Sequence, residues 1–201
     1  MLACAAAAED ARTFPDAECS YTLPSSDWKW LNPEQIPTAG RTIAFAKSPK
    51  GLAIVIGVAQ LKPDEKPTAR FYEAFEGGML ESGHLKKIGS ENITFKSIPS
   101  FQIEASLPTG QGTVTRVLCA NERLYCLQVI NGLGPLNANV DTDAVFQGFN
   151  FIGTPRPVST SADVDRAFEL GRQAGPGLAL VVGIVALCIY LLKRNRTSRT
   201  A

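Results

Sequence analysis

The chain has one histidine, His84, in the segment ESGHLKK beside Glu81 and Ser82. A Ser–His–carboxylate hydrolase would need that single imidazole as its base. No G-x-S-x-G elbow accompanies it, and no H-E-x-x-H, C-x-x-C or P-loop pattern occurs. His84 beside Lys86 and Lys87 reads as an exposed helix-end residue. Asn137, Asn139, Asp141 and Asp143 alternate as calcium-loop ligands do at positions 1, 3, 5 and 7. An EF-hand loop would want glycine at position 6 and glutamate at 12, where Thr142 and Gly148 stand. The better reading is a loop feeding an acidic helix N-terminus, which the helix dipole favours. No catalytic residue, cofactor or metal ligand is assigned.

Cys119 and Cys126 flank the segment ANERLY. A hairpin turn centred on Glu122-Arg123 would set them face to face, and an oxidising compartment would then permit a cross-strand disulfide; two independent buried thiols are the alternative. Trp28 and Trp30 share one face of an extended segment. Core packing explains them, but exposed they would form a candidate binding surface.

The clearest signal lies at the C-terminal end. Residues 174–192 are nineteen positions without a charge, followed by Lys193, Arg194, Arg196 and Arg199. At ~1.5 Å per residue that run covers about 28 Å, close to a bilayer's hydrocarbon thickness. An apolar span with a basic flank is a stop-transfer pattern, with the basic tail, residues 193–201, cytoplasmic. The expectation is a single-pass cell-membrane protein with a periplasmic or extracellular domain, in contact with lipid through residues 174–192. Residues 1–173 hold nineteen acidic and sixteen basic residues, a net −3, which is no footprint for nucleic acid. Residues 1–18 read as a signal remnant or lead-in; Met1-Leu2-Ala3-Cys4 resembles a lipobox, with Cys4 as its acylation site.

Apolar runs at 41–47 and 52–61 are separated by Ser48-Pro49-Lys50-Gly51, a hairpin signal. Thr68 is a candidate N-cap for a helix with Phe71, Phe75 and Met79 on one face, weakened locally by Gly77-Gly78. Period-2 strands follow in ENITFKSI, FQIEASLP, GTVTRVLCA and RLYCLQVIN, with a turn at Gly110-Gln111-Gly112. Asp141-Thr142-Asp143 caps a last helix whose apolar face is Val145, Phe146, Phe149 and Ile152. Residues 154–173 read as a Pro-rich linker and juxtamembrane segment, with a short helix near 163–173 and a hinge at Gly175-Pro176-Gly177. The expected class is α+β, an antiparallel sheet flanked by helices, plus one C-terminal transmembrane helix.

This layout resembles the PsbP/Mog1-like family of α/β/α sandwiches. The likeness is carried by YTLPSSDWKW, RTIAFAKSPKGLAIVIGVAQ, ARFYEAFEGGMLESG, ITFKSIPSFQIEASLP, GTVTRVLCANERLYCLQVI and DAVFQGFNFI, over residues 19–153. It implies a non-catalytic domain, since members of that family resemble assembly factors, small-GTPase binders and envelope lipoproteins. Three functions follow as expectations. The first is a membrane-tethered binding or assembly module with an envelope or membrane protein as partner. The second is a small-ligand or lipid-binding sensor domain, which a deep apolar pocket would favour. The third is a hydrolase around His84.

Overall fold

The computed structural model describes residues 10–33, 40–61, 68–136, 141–156, 158 and 167–175. Among these residues ten strands and two helices follow one another as β1 (Ala11–Phe14), β2 (Cys19–Thr22), β3 (Lys29–Trp30), β4 (Arg41–Lys47), β5 (Leu52–Gln60), α1 (Ala69–Ser82), β6 (Lys86–Phe95), β7 (Ile98–Ser106), β8 (Gly112–Ala120), β9 (Arg123–Asn131), α2 (Thr142–Gln147) and β10 (Phe149–Phe151). A further helix, α3, covers 167–175.

Seven strands form one antiparallel sheet in the order β3-β4-β5-β9-β8-β7-β6. Hairpins make most of it, as the turn residues foretell. Ser48 closes the β4–β5 turn twice, through its amide to Leu52 O at 2.8 Å and its hydroxyl from Leu52 N at 3.1 Å. Every residue of β8 is buried, so the sheet has a layer on each side.

One layer is helical. Thr68 caps α1 by accepting from Phe71 N at 3.3 Å, and Phe71, Phe75 and Met79 are fully buried on its sheet-facing stripe. α3 joins this layer and buries Ala167, Leu170 and Ala174 in the same core. The helices touch backbone to backbone. A Cβ on Gly78 would collide with the Phe168 carbonyl, and one on Gly171 would collide with the Phe75 carbonyl.

The other layer differs from the α/β/α expectation. It is a three-stranded sheet, β1-β2-β10, together with the short α2. β1 falls within the segment read as a lead-in. Its four residues pair antiparallel with β2, from Ala11 opposite Thr22 to Phe14 opposite Cys19. The last helix is shorter than its apolar spacing suggested. Asp141 caps it from Ala144 N at 2.9 Å, but it ends at Gln147, and Phe149 is buried in β10 while Ile152 is 44% exposed. Gly148 makes the switch possible because a Cβ there would meet the Thr22 carbonyl of β2.

The expected disulfide is a second correction. Cys119 lies opposite Leu124 and Cys126 opposite Val117, and both remain thiols. The turn is Asn121-Glu122, with φ of 53° and 59°, the pair of positive values a two-residue type I′ hairpin requires. That register sets the cysteines on a diagonal, where Cβ atoms stand roughly 7 Å apart, beyond the ~3.8 Å a disulfide needs.

Among the described residues no helix is long and apolar enough to cross a membrane. Of the expected span 174–192, only Ala174 and Gly175 are described, within α3. Cys4, Asn137, Asn139, Cys188 and the tail 193–201 lie outside the described residues.

Candidate binding cleft

A cleft of about 420 Å³ opens at the end of the large sheet where β5 starts and β9 stops. Four segments remote in sequence build it. Pro24, Asp27 and Trp28 come from the turn before β3, and Lys50 and Leu52 from the β4–β5 hairpin. Asn131 and Leu133 come from the end of β9, and Asp141 and Val145 from α2.

Each wall is held by its own hydrogen bonds. Trp28 N donates to Ser25 O at 3.1 Å, shaping the first turn. Asn131 ties down its loop from both sides of the amide, donating to Pro135 O at 2.9 Å and accepting from Leu133 N at 3.1 Å. Asp141 is the α2 cap already described. Trp28, Leu52 and Val145 give an apolar floor, Leu133 an exposed apolar lip, and Asp27 and Lys50 opposite charges at the rim. An apolar floor with a few convergent polar groups is the usual make-up of a ligand or peptide site. The cleft can bind; its described lining offers no histidine or thiol for proton transfer or nucleophilic attack.

Trp28 lies in the core on the side of the three-stranded layer, and Trp30 packs against it. Trp28 is 7% exposed and shows the cleft only part of its ring. Trp30 is half-buried, meets Tyr21 edge to face at 6.0 Å, and is covered by the Arg12 guanidinium at 4.5 Å. Cation–π contacts of this kind favour a fixed ring.

The residues of the hydrolase alternative do not converge. His84 is exposed in the left-handed region at φ 50°, just past α1. The Ser82 hydroxyl donates to Gly78 O at 2.7 Å, turned onto its own helix. Asp143, one of the alternating acids, pairs with the Arg116 guanidinium, which also lies 4.2 Å over the Phe146 ring. A smaller hollow of about 260 Å³ on β6 and β7 holds Glu91 and Glu104, both accepting from Gln102 Nε2, at 3.3 and 3.2 Å.

Burial raises the pKa of several groups in the two cores. The Cys19 and Cys126 thiols are each pushed up to about 12, as is the Tyr125 phenol. Tyr21 and Tyr72 rise further for the same reason. These phenols act as donors: Tyr21 to Val145 O at 2.7 Å and Tyr125 to Ala17 O at 2.8 Å, each pinning the three-stranded layer to its neighbours.

Comparison with solved structures places this architecture. The solution structure of cyanobacterial PsbP (CyanoP) from Synechocystis sp. PCC 6803 superposes with a TM-score of 0.54, over 75% of this chain and 98% of that one. The fold is PsbP-like. Sequence identity is 10%, so the likeness is one of fold alone. Neither a family model nor a curated protein matches the sequence.

The PsbP-like frame was readable from the strand and helix order. The cleft was not, because its walls come from four separated segments, and of its residues the sequence marks only Trp28 as a binding candidate and Asp141 as a helix cap. Asp27 and the Ser48–Gly51 turn stood in the sequence as ordinary turn residues.

Proposed function

We propose that the chain is a non-catalytic binding or assembly module, tethered to a membrane, whose partner seats in the Trp28 cleft. The observation that carries this reading is the cleft itself, an apolar floor with a polar rim on a PsbP-like fold. Its polar groups Ser48, Asn131 and Asp141 are engaged in holding the walls, which suits recognition rather than turnover. The tether is residues 176–192, since Ala174 and Gly175 belong to α3. Those seventeen uncharged residues cover about 25 Å, the lower end of what a spanning helix needs. The basic tail after them sets the domain on the non-cytoplasmic side. The partner is a protein of the same membrane or envelope, within reach of a domain that cannot leave the surface.

The test is in-cell crosslinking of the full chain against a form ending at Gly175, which keeps α3 as described. Enrichment of one membrane or envelope protein by the full chain alone is the expected result. Equal capture by both forms would remove the tether from the account. No specific capture by either would remove the protein partner and leave a small ligand for the cleft.

A further inference from the structure

Gly175, the residue before the uncharged run 176–192, is fixed in place. A Cβ on Gly175 would collide with Ser82 Oγ and the Gly83 amide, and would lie 2.6 Å from Met79 O. This part of α3 is therefore held against the last turn of α1. β6 starts close by in sequence, at Lys86.

The strand registers carry this position across the sheet. Lys86 lies opposite Ser106, Ser106 opposite Gly112, Gly112 opposite Asn131, and Asn131 opposite Leu52. Four strand spacings cover about 19 Å. One end of the sheet thus holds Gly175, the start of β6 and the mouth of the cleft.

That end is unusual in what it shows to solvent. Ile88, 62% exposed, and Leu133, 59% exposed, exceed every other exposed large apolar side chain among the described residues. Ile88 sits where the β6–β7 register shifts, between Lys87 and Gly89. A bulge at a sheet edge re-aims its side chain outward and blocks pairing with another strand. Lys50 and Lys86 are exposed at the same end, and Lys29 and Lys47 face each other one row in. Lys87 is engaged with Glu76 at 2.9 Å. Asp27 and Asp141 on the cleft rim, Glu81 on the last turn of α1, and Glu104 opposite Gly89 are the acids there. The far end, around the Asn121-Glu122 turn, carries Glu122 and the Arg123–Glu18 ion pair.

We infer that this end of the sheet is a membrane-apposed surface, with Lys50 and Lys86 on anionic headgroups and Ile88 and Leu133 at the interface. The inference rests on the tether proposed above. Two lysines and two aliphatic side chains would hold a free domain only weakly. A tether that begins after Gly175 supplies them at high effective concentration, so the surface sets orientation and places the mouth of the cleft at the bilayer surface.

The full chain, with Cys4→Ser and Cys188→Ala, is reconstituted into phosphatidylcholine vesicles with and without phosphatidylglycerol. A fluorophore is placed on Ile88→Cys, Leu133→Cys or Glu122→Cys, and quenching by headgroup nitroxide lipid is read. Quenching at 88 and 133, stronger with phosphatidylglycerol and absent at 122, is expected. Lys50→Glu and Lys86→Glu should each lower the ratio of apposed to released domain about fivefold; Lys87 is left intact because Glu76 needs it. Protein retained after an alkaline wash but unquenched at 88 and 133, or quenched alike at 122, overturns the surface and leaves the tether standing. Protein stripped by the wash removes the tether, and the surface with it.

Discussion

Gly78 of α1 lies directly under the carbonyl of Phe168 of α3, close enough that any side chain at 78 would strike it. A glycine inside a helix ordinarily costs about 1 kcal/mol against alanine. Here the local loss permits a tertiary gain, because two helix backbones meet at the contact. Gly78→Ala should therefore destabilise the protein by about 1–3 kcal/mol, the usual cost of overpacking, in place of the propensity gain. Urea unfolding gives the magnitude, and faster amide exchange over 167–175 would locate it. A stabilised variant would mean that α3 does not dock as described.

Stability should fall in alkali. Cys126 and Tyr125 have folded pKa values of about 12, above their ordinary 9.0 and 10.0. A raised folded pKa means the folded state keeps its proton longer than the unfolded one. The contribution is whole below pH 9 and is lost as pH rises from 9 through 12. Urea midpoints across that window should decline, and Cys126→Ala should flatten the decline at its lower end. A midpoint constant to pH 12 would contradict the burial of these groups.

Cys119 and Cys126 should both be thiols in protein prepared without reductant. Alkylation should leave them unmodified in the folded state and modify both on unfolding, since each is at most 2% exposed. A tryptic peptide carrying a 119–126 bridge would contradict the hairpin register.

Arg116→Met should cost about 2 kcal/mol and Asp143→Asn much less. The arginine side chain is 10% exposed, stacks on Phe95 and Phe146, and donates from Nε to Gln102 Oε1 at 2.9 Å. The Asp143 side chain is 73% exposed, and exposed ion pairs contribute little. Parallel thermal unfolding of the two variants reads the difference; equal losses would mean the ion pair, not the stacking, holds α2.

What could be read from sequence was local. Thr68 with Phe71, Phe75 and Met79 announces α1 because capping and helical period agree within one segment. Ser48-Pro49-Lys50-Gly51 announces its hairpin in the same way. β10 is hidden because Phe149 continues the apolar spacing of α2, and only the approach of Thr22, remote in sequence, makes Gly148 a break. Gly78 reads as a weak point in a helix until α3 is known to cross there. The Asn121-Glu122 turn had a signal, since asparagine tolerates the left-handed region, but glutamate at the next position obscured it. The cleft depends on the sheet register and on loops that pack over it, which no single segment encodes.

The most direct test of the binding role is a photo-crosslinking residue at Ser25, on the cleft wall, compared with one at Glu122, at the far end, both in the full chain in cells. A crosslink to one membrane or envelope protein from Ser25 and none from Glu122 is the predicted result. The same products from both positions, or none from Ser25, would contradict a cleft that seats a protein partner.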